Sequence, residues 1–241
     1  MERLNQQIAY YYIDLSEKEP RICQIANEAI RNDDLVSPFT ESNIKLAALL
    51  SSGAITLDEY IKLEREYGAR NKYLYTYELS GPRTFGESWA QEHLNAIVPE
   101  LSKPSKRLDP NYSGEYDFWY EGIKIEVKAS RAAEDKSGGK LVDKALYSFD
   151  TTTKFNMNFQ QLKPACCDVF VWMGVWRDAV RFWVLSSAEV ESSEFYSSGQ
   201  HRGNSGEGQL WIKRSNIEKF SRYIVEPNRL LTEIVRKGEM N

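Results

Sequence analysis

Two acids and a lysine, Asp117, Glu126 and Lys128, carry the chemistry that this sequence can be expected to perform. They sit in the segment Gly114-Glu115-Tyr116-Asp117-Phe118-Trp119-Tyr120-Glu121-Gly122-Ile123-Lys124-Ile125-Glu126-Val127-Lys128. Glu121-Gly122 separates two strand-like runs and suits a two-residue hairpin turn. With that turn Tyr120 faces Ile123, Phe118 faces Ile125 and Asp117 faces Glu126. Because strand side chains alternate between faces, Phe118, Tyr120, Ile123, Ile125 and Val127 form an apolar face. Glu115, Asp117, Trp119, Lys124, Glu126 and Lys128 form the other. Opposed residues on an antiparallel pair hold their Cβ atoms roughly 5 Å apart. Two carboxylates at that range repel unless a cation lies between them, and a hard divalent ion such as Mg²⁺ takes oxygen ligands of this kind. An ammonium two residues beyond Glu126, on the same face, can polarise a water or offset charge on a phosphate. Two acids, a lysine and a metal are the minimum set for metal-assisted phosphodiester hydrolysis. Alternating Glu and Lys on a strand also describes a solvated outer face with weak ion pairs.

The elements needed to position this hairpin are legible around it. The first 80 residues read as helical: Ile22, Ile25, Ala26, Ala29 and Ile30 fall at helical spacing, as do Ile44, Ala47 and Ala48 before a stop at Gly53. Thr56 with Glu59 has the form of a capping box. From Pro82 the character changes. The pattern predicts a helix from about Glu87 to Val98 ended by Pro99, a basic linker from Ser102 to Arg107, the hairpin, and a polar insertion over 129–158. A helix over Phe155–Leu162 closed by Pro164 follows, then strands over Asp168–Trp176 and Val180–Leu185 joined by Arg177-Asp178. A glycine-rich loop from Gly199 to Gly208 leads to a strand at Leu210–Lys213, and Ser215 is placed to cap the first of one or two C-terminal helices. The expected organisation is a helical N-terminal region over 1–80 and a catalytic core over 81–241. The fold class is α/β (α+β), a central mixed β-sheet flanked by helices.

The hairpin resembles the signature of the PD-(D/E)xK nuclease superfamily, which includes most type II restriction enzymes. Asp117 matches the first acid and Glu126-Val127-Lys128 the second part, although Tyr116 stands where the family often has proline. The resemblance spans roughly residues 84–176. It implies a restriction-endonuclease-like core, a Mg²⁺-dependent endonuclease acting on double-stranded DNA, and one or two Mg²⁺ held by Asp117 and Glu126. It further implies that Lys128 orients the attacking water and that the products carry a 3′-hydroxyl and a 5′-phosphate. Family members often add an acid from the helix before the hairpin, and here Glu87 is preferred over Glu92. Gln160 or Gln161, with Lys163, matches a polar element that approaches the phosphate.

For DNA contact the candidates are Ser130, Arg131, Lys154, Gln161 and Lys163, against the alternative of solvated loop charge. The net charge of −4 is spread unevenly: residues 1–70 hold 8 Lys/Arg against 12 Asp/Glu, whereas 103–163 hold 11 against 9. A DNA groove needs local rather than global positive charge. Aromatic residues reach 12%, enough for packing or base contacts. The three cysteines suggest reduced structural thiols, the two histidines cannot build a His-rich nuclease site, and the 199–208 loop lacks the ending of a nucleotide-binding P-loop. No apolar run approaches a membrane span and the polar start has no signal-peptide pattern, so a cytoplasmic protein is expected. Cutting both strands of a symmetric site would call for a homodimer. The rival readings are a repair or junction-resolving nuclease with the same chemistry, an inactive DNA-binding module of the same fold, and a soluble α/β protein without catalysis.

Overall fold

Val169–Val175 is apolar at every position and every one of its residues is buried, a pattern that demands cover on both faces of its sheet. The computed structural model, which describes residues 2–31, 41–79, 81, 83–198 and 207–240, supplies that cover in two different ways. The chain divides into two units, Met1–Tyr75 and Thr76–Asn241.

The first unit is helical, with α1 (Glu2–Lys18), α2 (Pro20–Arg31), α3 (Glu41–Ser51) and α4 (Leu57–Arg70). Ile8, Leu15, Cys23, Ala26, Leu46, Leu49, Ile55 and Leu63 form its core. Thr56 caps α4 as expected, its hydroxyl accepting from the Glu59 amide at 3.2 Å while the Glu59 carboxylate accepts from the Thr56 amide at 2.8 Å. Gly53, at φ +72°, ends α3.

The second unit carries α5 (Ala90–Ile97), β1 (Phe118–Tyr120), β2 (Ile123–Arg131), β3 (Ala133–Glu134), β4 (Phe155–Leu162) and β5 (Val169–Val175). β6 (Val180–Ser186), α6 (Ser187–Glu191), β7 (Tyr196–Ser198), β8 (Gly208–Lys213), β9 (Ile224–Val225) and α7 (Leu230–Gly238) follow. Strands β1-β2-β5-β6-β9 make a five-stranded sheet in which only the β2–β5 pair is parallel, so the sheet is mixed as expected. Its first face packs on α5 and α7 through Phe118, Ile125, Val127, Val169, Leu94 and Ile234. Its second face is not covered by helices. A four-stranded antiparallel sheet, β3-β4-β8-β7, lies against it, and Phe155, Met157, Phe159, Leu210 and Ile212 meet Phe170, Trp172, Trp183 and Leu185 between the sheets.

The second sheet accounts for the main departure from expectation. Phe155–Leu162 is the strand β4, not a helix. Phe155, Met157 and Phe159 alternate with Asn156, Asn158 and Gln160, and a helix would place residues two apart on opposite sides, whereas a strand sends all three apolar side chains to one face. Two smaller differences follow the same logic of local bonding. The helix before the hairpin begins earlier than Glu87, as a π-helical turn over Arg83–Trp89 that passes into α5. After β8 it is Asn216, not Ser215, that makes the turn, accepting from the Lys213 amide at 2.7 Å and donating to the Trp211 carbonyl at 2.9 Å ahead of a 3₁₀ segment at Ile217–Tyr223.

Packing between the sheets leaves little slack. A Cβ on Gly174 in β5 would stand 2.6 Å from the Trp183 ring and 2.9 Å from the Met157 sulfur. Gly174→Ala is therefore expected to cost about 1–3 kcal/mol by overpacking, read as a lower Tm with no change in secondary structure. All three cysteines are free, with Cys23 and Cys167 buried. Among the described residues no helix is long and apolar enough to cross a membrane.

Candidate active site

The hairpin forms in the register that its alternation required: Phe118 faces Ile125, Trp119 faces Lys124 and Tyr120 faces Ile123. Glu121 at φ +45° and Gly122 at φ +95° make the turn, both in the left-handed region that two-residue hairpins favour. β1 stops at Phe118, and this shapes the site. The Val127 amide then has no strand partner on that side, and the Asp117 carboxylate takes it, Oδ2 accepting at 2.8 Å. The Asp117 amide itself donates to the Ile125 carbonyl at 2.9 Å. Asp117 is thus pinned along β2 beside Glu126.

The other Asp117 oxygen accepts from the Gln91 side-chain amide at 2.5 Å. Gln91 stands on α5, and its own carbonyl oxygen accepts from the Lys103 ammonium. Lys103 is delivered by a short bridge, in which Ser102 exchanges hydrogen bonds of 3.0 and 2.8 Å with Trp119 on the outer edge of β1. Its ammonium lies 4.2 Å over the Phe118 ring. On β2, Lys128 Nζ lies 2.6 Å from Glu126 Oε1, with both side chains largely buried.

Asp117, Glu126 and Lys128 line one cleft of about 720 Å³. Glu87, Gln91, Lys103, Gln161, Lys163 and Glu207 also line it. Glu87 is exposed at the rim, and its charge is among the influences that raise the Asp117 pKa. Glu92 is exposed and does not line the cleft. Of the side chains expected to contact DNA, Gln161 and Lys163 line the cleft, while Ser130, Arg131 and Lys154 do not. Arg131 is engaged elsewhere: its guanidinium donates to the Leu79 carbonyl at 3.0 Å and covers the Phe85 ring at 3.7 Å. Burial lowers its pKa to about 10. Gln160, Gln161 and Lys163 belong to β4 and its exit rather than to a helix. Gln161 is the extra residue of a β-bulge, at φ +55°, and bulges recur beside active sites because they re-aim side chains. Here Gln160 and Gln161 both reach the cleft although they are consecutive. The expected 199–208 loop, with His201, lies outside the described residues apart from its last two positions.

Gln91, Lys103 and Glu207 were not singled out as site residues in the sequence. Gln91 follows Glu87 by one helical turn, a spacing that could have marked it. Lys103 carried no signal beyond the basic linker. Glu207 is buried and pairs with Lys163 at 3.1 Å.

Burial and mutual repulsion set the electrostatics. Asp117 is raised above the ordinary carboxylate range, chiefly by burial. Glu126 is pushed up to about 7 from an ordinary 4.5, first by burial, with the Asp117 charge adding to it against the opposing pull of Lys128. A raised folded-state pKa means that the neutral acid is favoured, so this contribution to stability is complete below about pH 4.5 and is lost as the pH rises through about 7. In chelator, the parent should therefore lose stability over that window relative to Glu126→Gln, whose amide cannot ionise. Melting both proteins from pH 4.5 to 8 checks it, and parallel curves would contradict it.

Among the described residues no three His, Cys, Asp or Glu side chains converge as a metal-binding group. The two-carboxylate pair still fits Mg²⁺, which keeps several waters and commonly takes only one or two carboxylates plus phosphate oxygens. The cost of ionising two neighbouring buried acids is what such a cation would relieve. No protein-family model, no curated protein and no solved structure matches the chain.

Proposed function

We propose that this chain is a Mg²⁺-dependent endonuclease of the type II restriction kind, hydrolysing phosphodiester bonds of double-stranded DNA within the PD-(D/E)xK nuclease superfamily. One observation carries the reading: two largely buried carboxylates, Asp117 and Glu126, open into one cleft with the Lys128 ammonium 2.6 Å from the second. Asp117 and Glu126 would hold one or two Mg²⁺ ions, which would supply Lewis-acid stabilisation of charge on the phosphate.

The chain's own groups do the rest. Gln91 and the Val127 amide hold the Asp117 carboxylate in a fixed orientation, so little is lost in ordering it when substrate arrives. Lys128 orients the attacking water and offsets charge that builds on the phosphate. Water oxygen bonds to phosphorus as the P–O3′ bond breaks, the proton that the water gives up passing to solvent and one from solvent reaching the departing O3′, which leaves a 5′-phosphate and a 3′-hydroxyl. Lys103 and Lys163, on the cleft walls, are placed to neutralise flanking phosphates, as is Gln161 to donate to one. Glu87 is the third acid that could join at the rim. Two copies acting on a symmetric site, as a cytoplasmic homodimer, complete the proposal.

Incubation with phage DNA in Mg²⁺ tests it. Discrete fragments support a restriction enzyme, and a smear indicates a nuclease without sequence preference. Retardation without cleavage indicates a binding module and defeats the proposal.

A further inference from the structure

The second sheet turns an amide-rich face away from the core, and that face runs into the cleft. On β4, Phe155, Met157 and Phe159 point into the inter-sheet core, so Asn156, Asn158 and Gln160 point away from it. Across the ladder Lys213 faces Asn156, Trp211 faces Asn158 and Gln209 faces Gln160, while Leu210 and Ile212 take the core side. No carboxylate interrupts these six residues. Asn158 and Gln160 are also cleft-lining residues. The Asn158 amide makes one long bond, 3.4 Å to Gln209, and its Oδ1 has no partner among the described residues. An unsatisfied buried polar atom costs about 1–3 kcal/mol, a cost that a ligand offering hydrogen bonds would remove.

Building on the nuclease reading above, we infer that this face reads base edges of duplex DNA from the major groove, adenine above all, with Gln160 and Gln209 as the specificity-determining side chains. A primary amide presents a donor and an acceptor side by side, which matches N7 and N6 of adenine bidentately. Same-face residues on one strand lie about 6.8 Å apart, close to two base-pair steps of roughly 3.4 Å. β4 and β8 are the two central strands of their sheet, and their paired rows, about 5 Å apart, fall within the roughly 12 Å width of the major groove. Lys213 sits at one end of this ladder for a phosphate, and Trp211, 37% exposed, offers apolar surface for a thymine methyl. Continuity with the cleft sets reading beside cutting.

The test is cleavage, in Mg²⁺, of duplexes randomised around the cut position, read by sequencing the cut ends. Parent, Gln160→Ala, Gln209→Ala and Gln160→Glu are compared, with melting curves close to the parent's showing that each variant is folded. Each alanine variant is expected to relax preference at one base pair by roughly 5- to 150-fold, the range of one bidentate pair, and to leave the other positions unchanged. Gln160→Glu keeps only acceptors and should move the preference at its position from adenine towards cytosine, whose N4 donates. Parental preference in both folded alanine variants, or equal loss at every position, overturns this inference and leaves the nuclease reading standing. Should the parent cut no duplex at all in Mg²⁺, both fall.

Discussion

Lys128→Ala should hold duplex DNA as the parent does and cut it roughly 10²- to 10⁴-fold more slowly, the range for losing one proton-transfer or charge-stabilising group. The ammonium stands 2.6 Å from Glu126, on the same strand face, where it can reach a water or a phosphate oxygen beside the carboxylates. On the proposed reading binding would draw on other groups, among them Lys103 and Lys163, which line the cleft. Cleavage in Mg²⁺ and gel retardation in Ca²⁺ separate the two effects. Removing the ammonium also strips the buried Glu126 of its nearest counter-charge, so Glu126 should become harder to ionise. Raising the pH should then recover a larger share of the residual activity than it does in the parent. Full activity in this variant would refute the assignment of Lys128.

Asp117→Asn should be as damaging, by a different route. The substitution keeps the side chain's shape and an oxygen that can accept from the Val127 amide. It removes the negative charge and turns the other end into a donor facing the Gln91 donor. Gln91 can relieve that clash only by rotating its amide, which then turns a donor towards Lys103. Loss of an outer partner of a metal ligand typically costs 10- to 100-fold in affinity or activity, and loss of the ligand charge should exceed roughly that range. Cleavage rates and Mg²⁺-induced thermal stabilisation, measured on the same preparation, should both collapse. A variant that keeps its Mg²⁺ response while losing activity would show that Asp117 acts on substrate rather than on metal.

The parts of this site that follow from local pattern were legible in the sequence. The hairpin register came from strict alternation about Glu121-Gly122, and the helical first unit came from spacing and the Thr56–Glu59 cap. β5 and β6 were legible as β-branched and aromatic runs. In β4 a period of two in the apolar residues competes with a helix-stop signal at Pro164, and the two patterns point to different elements. The second sheet, which covers the far face of the first, depends on that period of two. Gln91 and Lys103 were illegible for a different reason. Their role depends on contacts across 26 and 12 residues of chain, Gln91 to Asp117 and Lys103 to Gln91, and nothing in local spacing encodes such a meeting. Arg131 shows the converse: a basic residue just past the lysine invites a phosphate, yet its guanidinium is spent on Leu79 and Phe85.

The central claim is that Asp117 and Glu126 together make DNA hydrolysis depend on a divalent cation. Supercoiled plasmid offered to the parent and to the Asp117→Asn/Glu126→Gln double variant, each in Mg²⁺ and in EDTA, addresses it most directly. Nicked or linear product should appear only with the parent in Mg²⁺. Product in EDTA, equal product from the double variant, or an untouched plasmid in every lane would contradict it.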